Sequence, residues 1–317
     1  AYRIPRKSDP NIVIKHMKAA HEMIANVIGP RQGICVGGMY GLVPDNDDLR
    51  SPSGQVCLIG YFKDVITQLK RGLKGFWYAY PVFGRIGLAI VEAWQSEGEK
   101  RELHQLIRAL VVNSVDQEKL IAFAQGDDGD ALDPLSDTFA PSLIAADFFG
   151  SNSESKEVLV ADVRFNFFQT LQYLAKWLSG NGNVGLPATR THDGVSTSVS
   201  ALDDLATVER SRWEIWHAVY HKRIEVADVL RIAFEEFRYI KKNWDLLNNK
   251  PSYAIKPIEV RWDAITDKWY PVALFIMTKL VTDTKPVEFV TELLLPFTTS
   301  VSRDSEDPLY TMRLIDM

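Results

Sequence analysis

Two adjacent carboxylates, Asp203 and Asp204, stand directly before a helical pattern carried by Ala206, Thr207, Glu209, Ser211, Arg212, Ile215 and Trp216. A carboxylate there accepts a hydrogen bond from an unpaired backbone N–H and complements the positive end of the helix dipole, so the elementary reading of the pair is a helix cap. His217 and His221 are four apart, the spacing of two metal ligands on one helix face. The Glu that follows the first His in zinc peptidases is missing, and no third ligand is evident in the sequence. The run Gly126-Asp-Asp-Gly-Asp130 has the composition of a calcium loop. Its oxygen ligands fall at the wrong spacing for an EF-hand, and it reads as a solvated acidic loop. The two cysteines, Cys35 and Cys57, lie in apolar surroundings and read as buried free thiols of a reducing compartment.

The elements that must position these groups change character along the chain. Helical spacing of apolar residues over Asn11 to Val27 stops at Gly29-Pro30, and the apolar run Gly33 to Met39 follows as a buried strand. A second amphipathic helix over Val56 to Leu73, a second buried strand over Gly75 to Tyr80 and a third helix over Phe83 to Trp94 complete the first 96 residues. Helices alternating with strands, without hairpin signals, predict parallel strands in an α/β arrangement. Ser96 to Asp137 is charged, with a helical stretch from Arg101 to Ala124. Tyr173 and Trp177 share one helix face, which reads as packing. His192 falls in the polar stretch Pro187 to Ser200, which reads as a loop. The remainder predicts helices over Ala206–Lys222, Val226–Leu247, Ile258–Val281 and Pro286–Leu295.

A chain of 317 residues exceeds one ordinary core, so two domains are expected. With 46% hydrophobic and 24% charged residues it has a globular composition, and it contains no apolar run long enough to cross a bilayer. A net charge of -5 provides no electrostatic footprint for nucleic acid. The C-terminal Leu-Ile-Asp-Met is not a peroxisomal tripeptide, and a cytoplasmic location is expected, with the mitochondrial matrix or peroxisome as alternatives.

Read in order, several of these stretches resemble the malate synthase family. Leu202, Asp203, Asp204, Ala206 and Thr207 stand where that family has a Met-Glu-Asp-x-Ala-Thr run leading into a helix with Ser-Arg and a later Trp, here Ser211, Arg212 and Trp216. Gly37, Gly38, Met39 and Pro44, then Gly75, Trp77, Ala79 and Pro81, match its Gly-Gly-Met and Gly-x-Trp-x-Ala-His-Pro segments. Arg164-Phe-Asn166, Tyr173-Leu-Ala-Lys-Trp177 and Gly180-Asn-Gly182 match one of its helices, Leu143–Asp147 is similar to another, and residues 281–297 resemble its closing segment. Ile34 stands in place of a His, Lys74 of an Asp, Tyr80 of a His and Asn183 of a frequent Cys.

The resemblance implies an α/β plus α fold: residues 1–96 as the last βα units of a TIM-type barrel, 97–140 as an insertion, and 141–317 as a mainly helical C-terminal domain. It implies condensation of acetyl-CoA with glyoxylate to malate and CoA, with Asp204 as the general base that takes the methyl proton. Met39, Trp77, Pro81, Leu202 and Asp203 would wall the substrate and CoA pockets. Mg²⁺ is implied too, but its Glu and Asp ligands and the Arg that stabilises the enolate belong to earlier strands that residues 1–32 cannot supply. An upstream segment or a partner chain would then complete the barrel, which takes about 250 residues. The alternative is a catalytically inactive malate synthase-like subunit that serves as a structural or assembly component.

Overall fold

A computed structural model describes residues 17–96, 100–129, 133, 135–137, 156–248, 262–298 and 303–309. The helix expected at Leu143–Asp147, the residues 11–16 of the first expected helix and residues 258–261 lie outside this set. The chain divides into two compact units. One, the N-terminal unit, contains residues 2–151 and 188–201; the other, the C-terminal unit, contains 152–187 and 202–317, together with Ala1.

The N-terminal unit runs α1 (Met17–Ile28), β1 (Val36–Tyr40), β2 (Leu42–Pro44), α2 (Pro52–Lys70), β3 (Gly75–Tyr78), α3 (Pro81–Gln95), α4 (Arg101–Leu110) and α5 (Ser114–Gln125). Local chemistry sets the helix starts. The Ser51 hydroxyl accepts from Gly54 N–H at 3.0 Å ahead of Pro52, and the Asn113 carboxamide accepts from Val115 N–H at 2.8 Å. Pro81, whose fixed φ suits a first helical position, opens α3. Cys57, Phe62, Val65 and Ile66 of α2 pack with Phe83 and Ile90 of α3 in one apolar core. Leu103 and Ile107 of α4 and Leu120 and Ile121 of α5 join the same core. Within the stretch expected as an insertion, α4 and α5 therefore contribute to this unit's interior.

The acidic loop is also less solvated than expected. Asp128 is ion-paired at 2.7 Å to Arg71, itself almost wholly buried, and Lys70 Nζ donates to the carbonyl of Gly126 at 2.8 Å. Both cysteines are buried free thiols, as their neighbours in sequence suggested, and burial pushes the Cys57 thiol up to about 12.

β1 and β3 pair in parallel, with Val36 opposite Gly75, Met39 opposite Trp77 and an irregularity between Gly37 and Met39. The parallel order matches the expectation; the burial does not. Tyr40 and Phe76 pack on the core, but Trp77 is 66% and Ile34 76% exposed, and Val36, Met39 and Tyr78 are exposed as well. Among the described residues this sheet has two strands, with Tyr40 and Phe76 against the helical core and the remaining large side chains left exposed. Gly37 is confined: a Cβ there would lie 1.7 Å from the Gln68 side-chain oxygen, whereas at Gly38 it would meet nothing within 4 Å.

The largest correction concerns residues 184–203. The stretch Pro187 to Ser200, expected as a loop, forms a hairpin of β4 (Val184–His192) and β5 (Val195–Asp203), and β5 also pairs antiparallel with β2. Asp193 and Gly194 turn the chain with φ of 46° and 79°, the two positive values that a type I′ hairpin turn demands. Val195, Thr197, Val199 and Ala201 alternate along β5, with Val199 fully buried.

The C-terminal unit contains α6 (Lys156–Leu178), α7 (Leu205–Tyr220), α8 (Val226–Asn248), α9 (Tyr270–Thr282) and the short α10 (Thr291–Leu294). Phe167, Leu171 and Leu174 of α6 meet Val208 and Ile215 of α7, Ile232 of α8 and Ile276 of α9 in a second core. Tyr173 belongs to this core and Trp177 packs against it, as the packing reading required. The helix expected over Ile258–Val281 begins only at Tyr270. Before it, the Asp263 carboxylate accepts from Ile265 and Thr266 N–H at 3.0 and 2.9 Å, which holds a turn instead. The last expected helix, Pro286–Leu295, contracts to one turn of α-helix followed by a 3-10 turn at Leu295–Thr298. No helix of the described residues is long and apolar enough to cross a membrane.

Candidate active site

The start of α7 separates the two adjacent carboxylates. Asp203, the last residue of β5, is buried, and its two oxygens accept from Thr207 Oγ1 at 3.1 Å and from Gln169 Nε2 at 3.4 Å. Asp204 is the N-cap in extended conformation, and its Oδ1 accepts from Ala206 N–H at 2.9 Å. It is exposed, and its second oxygen takes no hydrogen bond among the described residues. The cap reading therefore holds for Asp204, and it leaves one carboxylate oxygen available for proton transfer. Asp203 is instead tied to two helices.

The rest of the stretch is occupied in holding the C-terminal segment. Arg212 is fully buried; its Nε donates to Glu209 at 2.7 Å and its Nη1 to the Val287 carbonyl at 3.0 Å. Glu209 in turn accepts from Val290 N–H at 2.7 Å, and Trp216 Nε1 donates to the Asp283 carbonyl at 2.9 Å. These bonds satisfy backbone groups of residues 283–290 that lie in irregular structure, where the sheet and helix ladders cannot reach. Ser211 Oγ donates to Asn166 Oδ1 at 3.1 Å, which fixes α7 to α6. Tyr173 donates to the Gly182 carbonyl at 3.0 Å; burial, with the Asp204 charge adding to it, pushes its hydroxyl up to about 12.

Met39, Trp77 and Pro81 belong to the N-terminal unit, and Leu202, Asp203 and Asp204 to the C-terminal one. Met39 and Trp77 face each other across the β1–β3 pair, and Pro81 opens α3 three residues after β3. Leu202 is half-buried on β5. Tyr80, at the position of the family's His, donates to Asp47 at 2.8 Å, and that hydrogen bond holds its hydroxyl above the usual range. Asn183 is exposed.

Metal-ligand geometry lies elsewhere. The rings of His217 and His221 are 4.3 Å apart, but among the described residues no third ligand joins them. Among the described residues the one group of three is Asp116, His192 and Asp193, drawn from α5 and the β4–β5 hairpin. Asp116 and His192 are 76 positions apart, and the sequence shows nothing that joins them. That group includes an imidazole, and Mg²⁺ demands octahedral oxygen ligation. Asp203 and Asp204 are not part of any such group among the described residues. Among the described residues, neither this group nor the Asp203–Asp204 pair fits a Mg²⁺ site.

A scan against protein-family models and a search of curated proteins each find no match to this sequence.

Proposed function

We propose that this chain is a malate synthase-like acyltransferase component in which Asp204 acts as the general base. The substrates, acetyl-CoA and glyoxylate, rest on the order and spacing of the sequence motifs. The observation that carries the role of Asp204 is its contrast with Asp203: both oxygens of Asp203 are engaged, while Asp204 is exposed with one oxygen committed to the helix cap. Removal of a weakly acidic methyl proton needs a carboxylate held in place yet open on one side. In this reading the free oxygen of Asp204 takes the proton from the acetyl methyl. The resulting enolate carbon attacks the aldehyde of glyoxylate, and water then cleaves the thioester to release CoA and malate. The groups that bind Mg²⁺ and stabilise the enolate are placed outside residues 1–317, on polypeptide that adds strands beside β1 and β3. The exposed apolar side chains of Val36, Met39, Trp77 and Tyr78 support that addition, because an uncovered apolar sheet face calls for a covering layer.

A second reading, an inactive subunit of the same lineage, is favoured by a separate observation. Glu209, Arg212 and Trp216 make bonds that serve the fold, a role that needs no turnover. The test is glyoxylate-dependent release of CoA thiol by the protein purified with whatever polypeptide accompanies it. The enzyme reading expects Asp204→Asn to lower turnover by ~10² to 10⁴ with substrate binding retained. Unchanged turnover in that variant would move the base elsewhere, and no glyoxylate-dependent release by any assembly would favour the inactive subunit.

A further inference from the structure

We propose that Asp116, His192 and Asp193 form a binding site for a divalent cation of the zinc class, separate from the acyl-transfer reading and independent of it. His192 Nε2 lies 2.9 Å from Asp116 Oδ2 and 3.8 Å from Asp193 Oδ2. One donor atom from each residue falls within 4.8 Å of the others. Ligands bound at ~2.0 to 2.2 Å around one tetrahedral ion sit at separations of this order, so little movement would bring all three onto a common centre. One imidazole with two carboxylates suits zinc better than magnesium or calcium, which prefer all-oxygen shells. Three protein ligands leave a fourth position for water.

A cluster of acids alone would be a solvated surface; the state of Asp116 is what distinguishes this one. Asp116 is 4% exposed, and its Oδ1 is buried and accepts no hydrogen bond among the described residues. An unsatisfied buried carboxylate oxygen is costly and calls for a cationic or hydrogen-bonding partner. The oxygen faces the cluster: Lys119 Nζ lies 3.8 Å from it and 3.2 Å from Asp193 Oδ1. That ammonium is long-stemmed and half-exposed, and it is too far from Oδ1 for a hydrogen bond. It neutralises one of two negative charges, where a dication neutralises both, and it can swing into solvent when the ion enters.

The framework is also prepared. The Asn113 cap fixes the first turn of α5, and the Asp193–Gly194 turn holds the hairpin tip at positive φ. An ion would clip the tip to α5 within the N-terminal unit. Other zinc ligands compete weakly: both cysteines are buried, and the His217–His221 pair has no third ligand among the described residues.

The experiment titrates the full chain with zinc chloride by calorimetry, at constant pH and with millimolar magnesium present. The expected result is one zinc per chain. His192→Ala and Asp193→Asn, both at partly exposed positions that leave the core intact, weaken binding by more than the ~10 to 100-fold typical of losing a supporting partner. Lys119→Met binds at least as tightly as the parent. The proposal is overturned by the absence of stoichiometric binding, by binding retained in both ligand variants, or by binding lost in His217→Ala instead. Weaker binding in Lys119→Met would overturn it too, since the ammonium would then support the site rather than compete for it. None of these readouts depends on CoA release, so failure here leaves the acyltransferase reading untouched.

Discussion

The two units enclose their cores with different elements. In the C-terminal unit Phe167, Tyr173, Tyr270 and Phe297 are all within 1% of full burial. In the N-terminal unit Tyr61, Phe62 and Phe83 are equally enclosed, yet Trp77 and Tyr78 on β3 are more than half exposed. The difference follows from the elements. Four long helices each present an apolar stripe and can close around one core on their own. A two-stranded parallel sheet has two faces and two edges, and α2 and α3 cover one face only. The exposed aromatics of the C-terminal unit, such as Phe165, Tyr220 and Phe234, lie on helices whose other faces close the core, while those of β3 lie on a strand pair with an uncovered apolar face.

The comparison breaks most readily in the closed unit. Arg212→Met removes the donors to Glu209 and Val287 and leaves the half-buried Glu209 carboxylate without its cation. It should destabilise the fold by about 3 to 5 kcal/mol in urea denaturation. A loss under 1 kcal/mol would mean that residues 283–290 are held by packing alone. In the open unit, Gly37→Ala drives a methyl against Gln68 and Leu73 and should cost about 1 to 3 kcal/mol, with Gly38→Ala nearly neutral. Equal costs would show that the strand, rather than its contact with α2, requires glycine. The smallest effect sharpens the contrast. Trp77→Ser should change the stability of the isolated chain by no more than about 0.5 kcal/mol, as expected for an exposed site. A larger loss of stability would place Trp77 in a core.

Much of the helical framework was legible because burial imposes a 3.6-residue period, as in α2, α3, α7 and α8. The errors share a cause. At 187–200 the Ser- and Thr-rich composition reads as a loop, and the alternation of Val195, Thr197, Val199 and Ala201 around an Asp-Gly pair was the available signal. At 258–270 the apolar pattern runs on past Asp263, whose carboxylate diverts the backbone into a turn.

Local pattern alone determined where most helices begin, that β1 and β3 run parallel, that Asp204 caps α7 and that both cysteines are buried. These depend on neighbours within a few residues: a cap needs only its own first turn, and a crossover helix dictates strand direction. Only the tertiary structure decided that Asp203 is tied to Gln169 while Asp204 keeps a free oxygen, that Arg212 reaches Val287, and that His192 meets Asp116. Each of those contacts joins residues 34 to 76 positions apart. Periodicity along the chain carries no information about such pairs, because they form only when separate elements are packed into one core.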